Sequence, residues 1–127
     1  MKVRCIRLIA EESGDILESS VWLTIDKEYL VLSVHVDGNG QVNFQLVGDD
    51  EFTPAFHWAE QFNIVSNLIP SIWCVDYAPG GAFDLVPRAW REKGFWEKFF
   101  DGESDARALF RSEVQAMLDE ESSNTTS

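Results

Sequence analysis

His57 lies in the stretch FHWAE, three residues ahead of Glu60. An imidazole beside a carboxylate is a common way to build a general base. Little else in the sequence completes such a set. The chain has two histidines, His35 and His57, and two cysteines, Cys5 and Cys74, all far apart. They form neither a zinc-type CxxC or HxxxH pair nor a local cysteine–histidine nucleophile. DGNGQVNF, starting at Asp37, begins like a calcium loop, with oxygens at the first, third and fifth places. It then has Val42 where that loop needs glycine and Gly48 where it needs a bidentate glutamate. GDDE, 48–51, sets Asp49, Asp50 and Glu51 side by side, but adjacent exposed acids outside an apolar pocket keep ordinary pKa values. No catalytic residue, metal site or cofactor is expected.

What these acids can do is attract. The net charge is −12, which disfavours nucleic acid and anionic membrane as partners, since both demand basic surface. From Glu28 to Pro87 there is no Lys or Arg, while the same sixty residues hold eight carboxylates. The flank from Arg88 to Arg111 is mixed, with six basic residues among its acids. One part of the molecule should therefore present an unopposed negative field, which speeds encounter with a basic protein. Charge of either sign also keeps a small protein dispersed. That bland account covers the acidity better than it covers the long gap in basic residues. The expected contact points are Asp37, Asp49, Asp50, Glu51, His57 and Glu60, with Trp58 as an aromatic anchor. Read as exposed acids, Asp49, Asp50 and Glu60 should be reversible to lysine with little effect on folding.

The elements that must position these residues form one domain. At 127 residues and 45% hydrophobic content, the chain can bury a single core. No apolar run approaches the ~20 residues of a membrane span, and the basic start MKVRCIRLIAEE lacks the features of a signal peptide. Two thiols without an export signal suggest a reduced, cytoplasmic protein. A single domain is expected over 1–120, with 121–127, ESSNTTS, as a disordered polar tail.

Strands come first. VRCIRLI, 3–9, reads as a strand at the edge of the core, and EESGD, 11–15, as a loop. In the next run Leu30, Leu32, Val34 and Val36 recur at period two, as do Val42, Phe44 and Leu46. Pairing Val36 with Val42 leaves Gly38-Asn39-Gly40 as a turn in which Gly40 supplies the positive φ. His35 then points away from the apolar face. TPAFHW and FNIVS read as short strands, with Pro54 barring a central position. IWCVDY and AFDLV flank Ala78-Pro79-Gly80-Gly81 as a second hairpin. Helices follow: one opened by Pro87 through PRAWREK, one over FWEKFF, and an amphipathic one capped by Ser104. Phe95 and Phe99, like Trp96 and Phe100, are four apart, so FWEKFF should seal one side of the sheet. The whole reads as α+β, with an antiparallel sheet in the N-terminal two-thirds and helices packed on it.

Two resemblances refine this. Leu23-Thr24, Lys27-Glu28-Tyr29, Val31-Leu32 and Asp49-Asp50, within residues 22–51, resemble the pattern of SH3-like small barrels of bacterial proteins. The resemblance implies a barrel-like first half. A small, strongly acidic domain without catalytic motifs also resembles, as a type, the immunity proteins of bacterial toxin systems. That likeness implies a cytoplasmic inhibitor that blocks a basic toxin domain, and it carries no residue over. The alternatives are an SH3-like adaptor or structural subunit without a basic partner, and, third, a small hydrolase around His57 and Glu60.

Overall fold

The computed structural model of the chain describes residues 1–124. Its best-defined local logic is the hairpin of β5 (Ser33–Val36) and β6 (Val42–Val47), where Val36 faces Val42 and Val34 faces Phe44. Asp37 N–H donates to the Gln41 carbonyl at 3.0 Å, and Gly40 sits at φ +86°, a region that penalises any Cβ. Pattern and turn select the same register.

Three more strands extend this hairpin into a five-stranded antiparallel sheet. They are β7 (Pro54–Trp58), β9 (Trp73–Tyr77) and β10 (Phe83–Pro87), and the strand order is β7-β6-β5-β10-β9. Pro54 stands on an edge strand, where its missing N–H costs no ladder bond. A second sheet of three strands has the order β4-β1-β8, from β1 (Lys2–Cys5), β4 (Glu28–Leu30) and β8 (Phe62–Ser66). A small ribbon pairs β2 (Leu8–Ile9) with β3 (Ile16–Leu17) around the 10–15 turn. The 3–9 segment is thus two strands, and β1 is central rather than an edge. Val3 and Cys5 are fully buried there, because strands cover both of its sides.

The strand expected over 30–36 is also broken. Val31 and Leu32 lie between β4 and β5, and both are buried. Val31 N–H donates to the Met1 carbonyl at 3.0 Å and Leu32 N–H to the Gln45 carbonyl at 2.8 Å, one bond to each sheet. The chain turns a corner here, as strands do when they pass between packed sheets. Phe44 of one sheet meets Phe62 of the other edge-on, with centroids 6.0 Å apart, and Phe62 meets Tyr29 in the same way. Residues 22–51 therefore contribute strands to both sheets.

The helices differ from expectation in three ways. PRAWREK forms only a 3-10 turn, Arg88–Arg91, which tucks Trp90 inside before Gly94, at φ +86°, redirects the chain. Ser104 is the first residue of its helix and not its cap: the Glu103 carbonyl already accepts from Arg107 N–H. Lastly, α2 (Ser104–Asn124) runs on through residues assigned to the tail. Glu121 is 2% exposed, paired with the Met1 α-amino group at 2.5 Å and accepting from Ser66 Oγ at 2.9 Å. A polar sequence is helical here because its carboxylate has buried partners. The remainder of the expected tail, 125–127, lies outside the described residues.

Helix α1 (Phe95–Phe100) does pack inward through Phe95 and Phe99. Their ring partners outside the helix are Trp90 and Phe110 of α2, so the seal is an aromatic cluster between helices rather than direct stacking on strands. Arg107 lies over the Phe99 and Phe52 rings, tying the cluster to the 48–53 turn. Phe99→Ala should cost about 3–5 kcal/mol in urea denaturation. Phe100→Ala, at a 57% exposed position, should be nearly neutral. Equal effects of the two would contradict this packing.

Candidate functional site

The residues expected to meet a partner do not form one cluster. Asp49, Asp50 and Glu51 occupy the turn between β6 and β7, whereas Trp58 is the last residue of β7 and Glu60 follows it. The five residues of β7 span about 16 Å, because a strand rises about 3.3 Å per residue. Closeness in sequence was misleading here, since the intervening stretch is extended.

Asp49 is a structural residue. Its carboxylate accepts from Thr24 Oγ1 at 2.7 Å, Lys27 Nζ at 2.8 Å and Tyr29 Oη at 2.8 Å, while its N–H donates to the Trp22 carbonyl. Desolvation raises its pKa, but the bonds from Lys27, Thr24 and Tyr29 outweigh that and hold it below the usual carboxylate value. The same environment, desolvation first, pushes the Tyr29 hydroxyl up to about 12. Gly48 completes the lock: a Cβ there would lie 2.5 Å from the Trp22 carbonyl oxygen. The expectation that Asp49 is a freely reversible surface acid is thus corrected, because this carboxylate fastens the 22–29 segment to the sheet.

The other acids vary in role. Asp50 caps its own turn, accepting from Thr53 and Phe52 N–H, and those bonds lower its pKa. Asp37 likewise accepts from the N–H groups of Asn39 and Gln41 in its own turn. Glu51, at φ +60°, and Glu60 are exposed, and neither forms an ion pair among the described residues. Arg7 reaches Glu60 only at its carbonyl, 2.6 Å away.

Two acids missed as contact points share a sheet face with Trp58, three and four strands away from it. Cross-strand partners in an antiparallel sheet share a face. Trp58 faces Asn43, Asn43 faces His35, His35 faces Asp84 and Asp84 faces Asp76. These five residues make one row across all five strands. Asp84 Oδ1 lies 2.7 Å from His35 Nδ1, and Asp76 accepts from Arg91 at 3.0 Å, each pair partly open to solvent. The row was not readable from the expected turn: a loop of Ala78–Gly81 would set Tyr77 opposite Ala82, whereas Ala78 N–H donates to the Ala82 carbonyl, the loop shortens to 79–81, and Asp76 meets Asp84. On the opposite face the next row is apolar, running Val42, Val36, Phe83 and Tyr77. Tyr77 is 70% exposed, so this face extends beyond the core that covers its centre.

His57 points to the core side of β7 and is almost buried. Desolvation lowers its pKa, so the neutral ring is favoured. Glu60 does not approach it. Its acid neighbour is Glu11, from the 10–15 turn, with Oε2 4.0 Å from Nδ1. Glu11 also accepts, at 3.4 Å, from Trp58 N–H and Gln61 Nε2. No hydroxyl or thiol nucleophile is bonded to this pair, and no group of three metal-binding side chains exists among the described residues. Cys5 and Cys74 are both free and belong to different sheets. With this geometry in hand, the chain matches no family model, no curated protein and no solved structure.

Asp49→Lys should therefore lower stability by about 2–3 kcal/mol, since it strands two hydroxyls and opposes Lys27. Glu60→Lys should leave the denaturation midpoint almost unmoved. A second expectation concerns pH. A base with a depressed folded pKa is protonated first in the unfolded chain, so its stability contribution is complete above its ordinary value and lost as pH falls. Stability should drop from about pH 7.5 to about pH 5.5 more steeply in the parent than in His57→Gln. Parallel pH curves would show that His57 is not desolvated.

Proposed function

We propose that this protein is a small acidic binding protein that neutralises a basic protein partner, acting as an immunity protein against a bacterial toxin domain in the cytoplasm. One observation carries the reading. The five-stranded sheet is built entirely from the stretch without Lys or Arg, and one of its faces sets Trp58 in a row with His35, Asp84 and Asp76. Asp84 and Asp76 sit directly opposite each other, an arrangement that costs stability in a free sheet and is relieved by cations. Arg91 and His35 supply part of that relief. A partner rich in Lys or Arg supplies more, and Trp58 offers it a flat aromatic anchor. Inhibition would be steric and electrostatic, with the partner's cations held away from their own substrate.

The apolar row on the other face favours a second reading. Val42, Val36, Phe83 and Tyr77, continued by exposed Val75, suit an adaptor or subunit whose partner is not basic.

Ionic strength separates the two. With the basic protein recovered from host lysate as the probe, the association rate should fall steeply as salt rises, since exposed charges are screened. Asp84→Asn with Glu60→Lys should slow association further while folding stays intact. A rate independent of salt, sensitive to Tyr77→Ser and not to the acids, would transfer the function to the apolar row.

A further inference from the structure

A cleft of about 440 Å³ opens between the 10–15 turn and β7. Leu17, Trp22 and Phe56 form apolar walls, and the last two are each 48% exposed. Glu11, Glu12, His57 and Gln61 supply its polar groups, and no Lys or Arg lines it. Two features suit it to a ligand with hydrogen-bond donors and positive charge. His57 is 9% exposed, makes no side-chain hydrogen bond among the described residues, and stands beyond hydrogen-bond reach of Glu11 at 4.0 Å. Glu11 has a side chain 34% open to water, only two long bonds and no Lys or Arg partner, and partial burial pushes its pKa up. A partly desolvated carboxylate without a counter-ion is stabilised by a cation that pairs with it.

We infer that this cleft receives one arginine side chain of the basic partner, its guanidinium on Glu11 and an N–H directed to the neutral ring of His57. The inference rests on the proposal of a basic partner and names the side chain that would anchor it. Arginine fits better than lysine for three reasons. Its planar group carries five donors, enough for a carboxylate and an imidazole acceptor together. It stacks on aromatic rings such as that of Trp22, and it is less strongly hydrated than an ammonium. The aliphatic stem would lie along Leu17 and the cleft walls. The anchor would join the row on the opposite face of the same strand, since Trp58 and His57 are neighbours.

The test needs no partner. N-acetyl-arginine amide is titrated into the intact protein and followed by amide and side-chain NMR. Saturable shifts are expected at Glu11, Trp22, His57 and Gln61, with Kd on the order of millimolar for so small a ligand. Glu11→Gln, which keeps an acceptor for Trp58 and Gln61, should weaken binding about tenfold, whereas Glu51→Lys should not. The citrulline analogue, equal in shape and uncharged, should not saturate. Equal binding of arginine and citrulline, equal binding in Glu11→Gln, or shifts scattered over the acidic surface would each overturn the proposal. Equal binding of N-acetyl-lysine amide would overturn the choice of guanidinium. If the arginine probe fails while a basic protein is still captured in a salt-dependent way, the cleft falls and the broader function stands. If the probe binds and no basic partner is captured, the cleft stands and the broader function falls.

Discussion

Between Leu30 and Ser33 the chain leaves a three-stranded sheet and enters a five-stranded one, and nearly everything else in the molecule follows from that passage. Val31 and Leu32 must satisfy their backbone within the interior, because both are closed off from water. Met1 and Gln45 provide the two carbonyls. One sheet is thereby bonded to the other through a single dipeptide, and Phe44, Phe62 and Tyr29 fill the angle it creates. Loss of a large side chain at this corner would loosen both sheets at once, since both pack on it.

Two carboxylates complete the closure from opposite sides. Asp49 gathers Thr24, Lys27 and Tyr29, which holds the long 18–27 connection against the sheet although that segment has no strand of its own beyond β3. Glu121 gathers the Met1 amino group and Ser66, so the last helix is fixed to the first strand and to β8. Helix α2, about 30 Å long at 1.5 Å per residue, is thus held near its start by Arg107 on Phe52 and near its end by Glu121. Acids of this kind are spent on architecture. The functional proposal rests on the others, Asp84 and Asp76 on the sheet face that also carries Trp58, Glu60 beyond the end of β7, and Glu11 in its cleft.

The sequence made the local geometry legible and the long-range partners not. The Val34–Phe44 register, the Gly40 turn, the second hairpin and Pro54 on an edge were all readable, because period-two hydrophobicity and turn chemistry act over a few residues. That helical spacing in FWEKFF buries an aromatic stripe was readable, but not that the stripe is Phe95 and Phe99 rather than Trp96 and Phe100. Glu121 was not, because a polar run looks like a tail until its partners, 120 and 55 residues away in sequence, are brought to it. Glu11 was hidden in EESGD for the same reason: its partners lie at Trp58 and Gln61. Asp49 was misjudged because acidity in a turn suggests solvent, and only the fold shows three donors converging on it. The helix expected after Pro87 shortened to a 3-10 turn because Trp90 had an aromatic site to fill.

That aromatic site also gives the molecule a built-in optical label. Trp90 and Trp96 have centroids 5.4 Å apart and planes inclined at 69°, and Trp90 stacks on Phe95 and Phe110. Two indoles so close and so oriented share their excited states, which produces a paired, oppositely signed dichroism band that isolated tryptophans lack. Trp22, 48% exposed, should emit as a separate, red-shifted chromophore. Light absorbed by one part of this chain thus reports on the helical seal, while light emitted by another part reports on the cleft proposed to meet a partner.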